Sequence, residues 1–197
     1  KGYDVFAKSI VKILDKHKDW KAIIIGDEKR EKISLKHKNV SILGFKKHHE
    51  VIEIFKKTSI TVACSRWEEP FGRTSLEASA NGCAVIITNK GGLPETVTDA
   101  KILQNLNTKN LIKSISKLIN DHKLRKNLQT KSIKNFYLTH SFVSNKIDNY
   151  RSEKLFLNKI FYKKSHLKSL RILHVTNFNE RLDGRLFFNT GRRINNG

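Results

Sequence analysis

Two glutamates separated by seven residues bracket an apolar turn in the stretch 65–97, SRWEEPFGRTSLEASANGCAVIITNKGGLPETV. They are Glu69 and Glu77. A carboxylate accepts paired hydrogen bonds from vicinal hydroxyls, such as those of a ribose or a hexose. Between them Pro70 and Gly72 shape a loop, and a helical pattern begins near Thr74. The unpaired amides and positive dipole end of such a helix suit an anion such as a phosphate. A sugar carried on a diphosphate offers hydroxyls and negative charge together. The residues alone leave a blander reading open, in which Glu77 only complements its own helix dipole and Glu69 is solvated.

Positioning these groups requires a scaffold, and the apolar pattern supplies one. Val5, Phe6, Ile10, Ile13 and Leu14 fall on one helical face. Residues 21–25 (KAIII) form a buried strand ending at Gly26, and 27–35 have the polar character of a short helix. Residues 40–43 form a second strand closed by Gly44. Val51, Ile52, Ile54 and Phe55 give 48–57 a helical spacing, and 60–64 (ITVAC) is a third strand. The helix at 74–80 ends at Gly82, a residue suited to a helix C-terminus. Residues 83–88 (CAVIIT) form a fourth strand and 101–103 a short fifth. Thr108 is placed to cap a helix reaching Ile119, and lysine-rich helical pattern continues to about Lys164.

Short continuous apolar strands alternating with helices predict an α/β, Rossmann-like, doubly wound parallel sheet covered on both faces. In such a domain ligands bind at the carboxyl ends of the strands. Gly26, Gly44, the 65–73 loop and Gly91-Gly92 all fall there.

Composition narrows the partners. The net charge of +21 favours anionic ligands, whether nucleic acid, an anionic lipid surface or a phosphorylated small molecule. Lysine outnumbers arginine 29 to 10, and the excess of Lys, Ile and Asn fits an A/T-biased coding sequence. Cys64 and Cys83 lie in strand-like runs and read as buried thiols rather than a disulfide. Neither they nor the eight histidines have zinc-site or nucleophile spacing. His48 and His49 open a helix near the second strand end; contact of either with a bound nucleobase is one reading, and a surface position is the better one. No apolar run approaches the roughly 18 residues of a membrane span.

A break comes near Leu170. Residues 1–170 hold all 29 lysines and five arginines, and 171–197 hold five arginines and no lysine. Residues 171–178 (RILHVTNF) read as a fresh buried strand, either starting a second domain or adding to the first sheet. With no methionine in the chain, the expectation is a fragment of a longer polypeptide. The expected organisation is a nucleotide-sugar-binding domain at 1–122, lysine-rich helices or linker at 123–168, and a truncated second domain at 169–197.

EPFGRTSLE, followed by NGCAVI and GGLPE at this spacing, resembles the Glu-x7-Glu region of family 4 retaining glycosyltransferases (glycosyl transferases group 1). The likeness extends back through IIIGD and ILGF to Lys1-Gly2 and forward to about Asn120, the carboxyl-terminal, donor-binding half of the GT-B fold. It implies that Lys1 neutralises the donor diphosphate, that Gly26 lets the donor approach the backbone, and that Gly44, Phe45 and Lys46 hold the nucleobase. It implies that Glu69 is the catalytic glutamate beside the transferred sugar, with Phe71 and Gly72 presenting backbone to that sugar. Arg73 and Thr74 would open the helix facing the diphosphate, and Glu77 would hold the ribose hydroxyls. Many relatives have an apolar residue where Arg73 stands. It would either touch phosphate or point to solvent.

The resemblance implies transfer of a sugar from a nucleotide sugar to a glycan or lipid-linked acceptor, with retention, without a metal and without a cofactor. No Asp-x-Asp pair stands in this region. An acceptor site on a separate amino-terminal domain would leave the isolated fragment inactive. It further implies a cytoplasmic enzyme of cell-surface polysaccharide synthesis, with the basic helices suited to peripheral contact with anionic lipid. Residues 171–197 resemble the first strand and loop of a second GT-B amino-terminal domain. Two rival functions are a noncatalytic nucleotide-sugar-binding domain and a basic nucleic-acid-binding module. The second is disfavoured because most phenylalanines occupy core-like positions.

Overall fold

The computed structural model describes residues 2–26 and 35–161. Lys1, nearly all of the expected short helix at 27–35 and the expected second domain at 169–197 lie outside the described residues. The chain divides into two compact units with the boundary between Ser144 and Asn145. The first unit is built as α1 (Tyr3–Lys16), β1 (Ala22–Ile24), β2 (Val40–Ile42), α2 (His48–Lys56), β3 (Ile60–Ala63), α3 (Arg73–Ala80), β4 (Ala84–Thr88), β5 (Ala100–Leu103), α4 (Thr108–Asn120) and α5 (His122–Lys134). A 3-10 turn at Leu93–Thr96, absent from the sequence reading, joins β4 to β5. A further helix, α6 (His140–Phe161), runs across the unit boundary.

Every strand pairing among the described residues is parallel. β1 pairs with β2, and β3, β4 and β5 pair in that order. β4 explains the arrangement best, since all five of its residues are buried. Side chains of a strand alternate between faces. Ala84 and Ile86 therefore join the cluster formed by α1 and α4, which includes Ile13, Leu14, Leu111 and Leu118. Val85 and Ile87 join Phe55 of α2, Ala78 of α3 and Leu93 on the other face. A strand covered on both sides has no polar face, which is why CAVIIT reads as an unbroken apolar run.

The expected parallel α/β arrangement is observed, with β1 and β2 as a pair of their own that, among the described residues, does not pair with β3. Ala22 and Ile24 are buried, whereas Ile23 is 47% exposed and Ile42 of β2 is 48% exposed. The cap of α4 is corrected. Asn107, not Thr108, is the N-cap, because its side-chain oxygen accepts the Asn110 amide at 2.8 Å.

α5 fastens the amino ends of the strands. Gln129 donates to the Ser59 carbonyl ahead of β3 and Ser132 to the Asp99 carbonyl ahead of β5. Arg125 donates to the last carbonyls of α4 and lies over the Trp20 ring. No helix among the described residues is long and apolar enough to cross a membrane.

Candidate functional site

The loop that carries Glu69 leaves the carboxyl end of β3 and is tied down at both ends. At its start, the buried Thr88 hydroxyl on β4 accepts from the Ser65 amide at 2.9 Å and donates to the Ser65 carbonyl at 3.0 Å. At its middle, Gly92 donates its amide to the Glu69 carbonyl at 2.7 Å. Glu68 accepts from Lys90 at 3.0 Å and from the Gly91 amide. The Lys90 and Gly91 contacts hold the Glu68 carboxyl below the usual carboxylate range. A β-carbon at Gly91 would lie 2.6 Å from the Glu69 nitrogen, and Gly91 has a φ of +53°. The second glycine pair thus lets the β4–β5 connection run beneath the loop bearing the first glutamate.

Glu69 itself receives a hydrogen bond from the indole nitrogen of the exposed Trp67 at 2.9 Å. Trp67 and Glu68 were not singled out by sequence reasoning. Their only signal was adjacency to the motif. Phe71 is 51% exposed at the loop tip.

Gly72 is the N-cap of α3 and adopts the left-handed conformation, with φ 88° and ψ 56°. A β-carbon there would lie 2.6 Å from Leu93 and 3.0 Å from the Ser75 hydroxyl. Glycine is required on both counts. Because Gly72 has no side chain to cap the helix, no side-chain cap occupies the N-terminus of α3. Ser75 bonds instead to the Gly72 carbonyl and to the buried Thr96 hydroxyl, fixing α3 to the 3-10 turn. Arg73 and Thr74 are exposed on the first turn.

One turn further, Glu77 is largely covered, with its side chain 20% exposed. Arg73 folds back to it at 3.0 Å through Nη2. The Arg73 guanidinium pairs with Glu77 while remaining largely exposed. His48, read from sequence as a surface residue, reaches the same carboxylate at 3.0 Å from the start of α2.

That contact brings the segment after β2 to α3. Gly26 donates to the Gly44 carbonyl at 2.9 Å, so the ends of β1 and β2 are joined. Phe45 is 79% exposed. Lys46 pairs with Glu50 at 3.4 Å, and Glu50 also accepts the Lys47 amide at the N-cap of α2. The Lys47 amide and then Lys46 hold the Glu50 carboxyl below its usual value. On the other flank, Gly2 donates to the Cys64 carbonyl, which places the N-terminus of α1 beside the end of β3. Of the residues named from sequence, Glu69, Phe71, Gly72, Arg73, Thr74 and Glu77 form one loop and helix start. Gly26, Gly44, Phe45 and Lys46 form a second cluster, linked to the first through His48 and Glu77. Lys1 lies outside the described residues.

A sequence model of the family described as glycosyl transferases group 1 matches residues 1–135. The lipopolysaccharide core biosynthesis mannosyltransferase LpsB of Rhizobium meliloti (strain 1021) is 32% identical over 108 residues, covering 50% of this chain and 30% of that protein. The chain spans about a third of the length of the curated relatives it matches. Among solved structures, the C-terminal domain of a glycosyl transferase group 1 family protein (LpcC) from Francisella tularensis superposes with a TM-score of 0.60 at 27% identity. That match covers 68% of this chain and 76% of that one. Anabaena Alr3699/HepE in complex with UDP-glucose shares the fold, with a TM-score of 0.55 at 20% identity over 72% of this chain and 44% of that one.

Proposed function

Because the chain belongs to the glycosyl transferases group 1 family, we propose that it forms the donor-binding, carboxyl-terminal half of a retaining, metal-independent family 4 glycosyltransferase. The observation that carries this reading is the placement of Glu69 and Glu77 around an N-terminus of α3 that no side chain caps.

The chemistry follows from that placement. Departure of a nucleoside diphosphate builds negative charge on phosphate oxygens. The amides at the start of α3 face that charge, assisted by Lys1 and by the basic field of the chain. Preorganised donors of this kind act strongly because they need no reorganisation as charge develops. Glu69, held by Trp67, lies beside the transferred hexose, where Phe71 and Gly72 present backbone to the sugar. Glu77 accepts the ribose hydroxyls, and Gly44, Phe45 and Lys46 meet the nucleobase near Gly26. Arg73 serves Glu77 in this reading rather than phosphate.

The acceptor is a glycan or a lipid-linked glycan of a cell-surface polysaccharide, engaged by a separate amino-terminal domain. The setting is the cytoplasm, with the lysine-rich helices resting on the inner face of the membrane. The described chain then binds donor and transfers no sugar alone. The UDP-glucose held by HepE supports the choice of a nucleotide-sugar donor, and LpsB, a mannosyltransferase, supports sugar transfer.

Thermal-shift titration with uridine, guanosine and adenosine diphosphates and their sugar conjugates tests the reading. A ligand that prefers the native fold raises the melting temperature. The reading expects one base to do so, and a flat response to all of them would overturn it. In the complete enzyme, Glu69→Ala abolishes sugar transfer and Glu77→Ala weakens donor binding. Normal transfer by both variants would remove the catalytic role.

A further inference from the structure

We infer that His48 is a positioning residue for the donor, orienting the Glu77 carboxylate so that one oxygen is kept for the ribose. The inference rests on the reading of Glu77 as the ribose-binding glutamate.

The geometry is specific. His48 Nε2 lies 3.0 Å from Glu77 Oε1. Arg73 reaches the same oxygen at 3.0 Å through Nη2 and 3.3 Å through Nε. Among the described residues, both side chains converge on Oε1. A carboxylate oxygen only accepts, so His48 donates from Nε2, which fixes the position of its proton. Oε1 is thereby occupied, and Oε2 is left to accept from a hydroxyl.

The two donors are not equivalent. Arg73 sits on α3 itself, one turn before Glu77, and its side chain is 72% exposed. A pair within one helix leaves the carboxylate able to swing with the flexible guanidinium. His48 comes from a different element, the first residue of α2, immediately after the Gly44–Lys46 segment. It is 62% exposed, whereas Glu77 is 20% exposed, so a surface imidazole is recruited to a largely covered carboxylate. Two donors from two helices define the plane of the carboxylate, as one local donor does not.

The test reads the ribose directly. Affinities of the full chain for uridine, guanosine and adenosine diphosphates are measured by calorimetry, together with their 2′,3′-dideoxy counterparts. For the base that binds, the wild type prefers the ribonucleotide by about tenfold or more, as for hydrogen bonds to a charged group. His48→Ala reduces that preference to within about threefold while binding the dideoxynucleotide as the wild type does. His48→Gln, which can still donate at the reach of Nε2, restores it. His48 is exposed at a helix start, so folding is retained, and thermal melts confirm it. A wild-type preference in His48→Ala, with the preference lost in Glu77→Ala, would overturn the inference and leave the role of Glu77 standing. Failure of His48→Gln to restore the preference would also overturn it. A wild type that binds no diphosphate, or does not distinguish ribose from dideoxyribose, would overturn the reading of Glu77 and this inference with it.

Discussion

Thr88 and Ser65 hold one another by two hydrogen bonds, each through the same buried hydroxyl. The Ser65 amide donates to Thr88 Oγ1 at 2.9 Å, and that hydroxyl donates to the Ser65 carbonyl at 3.0 Å. The pair joins the last residue of β4 to the second residue beyond β3. A threonine at the end of an otherwise apolar strand is thus the anchor of the loop bearing Glu69.

Thr88→Val keeps the volume and removes both bonds. It leaves a buried amide and carbonyl without this partner, which costs about 1–3 kcal/mol. Urea unfolding should show a lower midpoint with an unchanged slope. Donor affinity should fall as well, since the loop loses its anchor. Unchanged stability would mean that water or a backbone shift satisfies Ser65.

Gly91→Ala should damage the site more than its distance in sequence from the glutamates implies. The new β-carbon would lie 2.6 Å from the backbone nitrogen of Glu69, and backbone cannot rotate away as a side chain can. The left-handed φ adds about 1–2 kcal/mol for a residue with a β-carbon. The expected result is a destabilised protein whose nucleotide affinity also falls. Full affinity in a stable Gly91→Ala protein would show that the two loops are not coupled.

Much of this was legible in sequence because local pattern and tertiary role agree. Ala84–Thr88 is apolar throughout since helices cover both its faces, so a run of one composition announced both strand and layering. Pro70 and Gly72 likewise marked a loop, and the pattern at 74–80 a helix that begins one residue earlier, at Arg73. What stayed hidden depended on contacts between distant segments. His48 lies 29 residues from Glu77, and nothing in KKHHE announces a partner on α3. Gly91 and Gly92 read as a turn, while their actual constraint is the Glu69 backbone packed against them. Asn107 displaced Thr108 as the helix cap because both residues can cap and only geometry decides between them.

The cysteines should be poor nucleophiles in the folded protein. Burial pushes the Cys64 thiol up to about 11, and burial also raises Cys83. Both are free thiols. The thiolate is the reactive form, and at pH 8 a thiol of that acidity is ionised in only about one molecule per thousand. Iodoacetamide labelling followed by mass spectrometry should show Cys64 modified at least about 100-fold more slowly in the native chain than in urea. Labelling of native Cys64 near the unfolded rate would mean that the end of β3 opens readily.

Asp4 and Arg66 give the site a stability term that depends on acidity. Arg66 Nη2 donates to the Asp4 carboxylate, joining the first turn of α1 to the loop after β3. Desolvation pushes the Asp4 carboxyl up, but the hydrogen bond and charge of Arg66 outweigh it and hold the group below its ordinary value. A carboxyl depressed in the folded state stabilises the fold above its unfolded value, near 3.9, and loses that contribution as the pH falls through the folded value. Asp4→Asn should therefore be less stable than the wild type at pH 7, by a margin constant down to about pH 5. The margin should shrink below that and vanish once the wild-type carboxyl is protonated in both states. Arg66 is 54% exposed, so the margin at pH 7 should also narrow when salt is raised to about 1 M. Urea midpoints of both proteins from pH 3 to 8, at low and high salt, measure this directly. A margin independent of pH would show that Asp4 acts through the local geometry of the α1 start rather than through its charge.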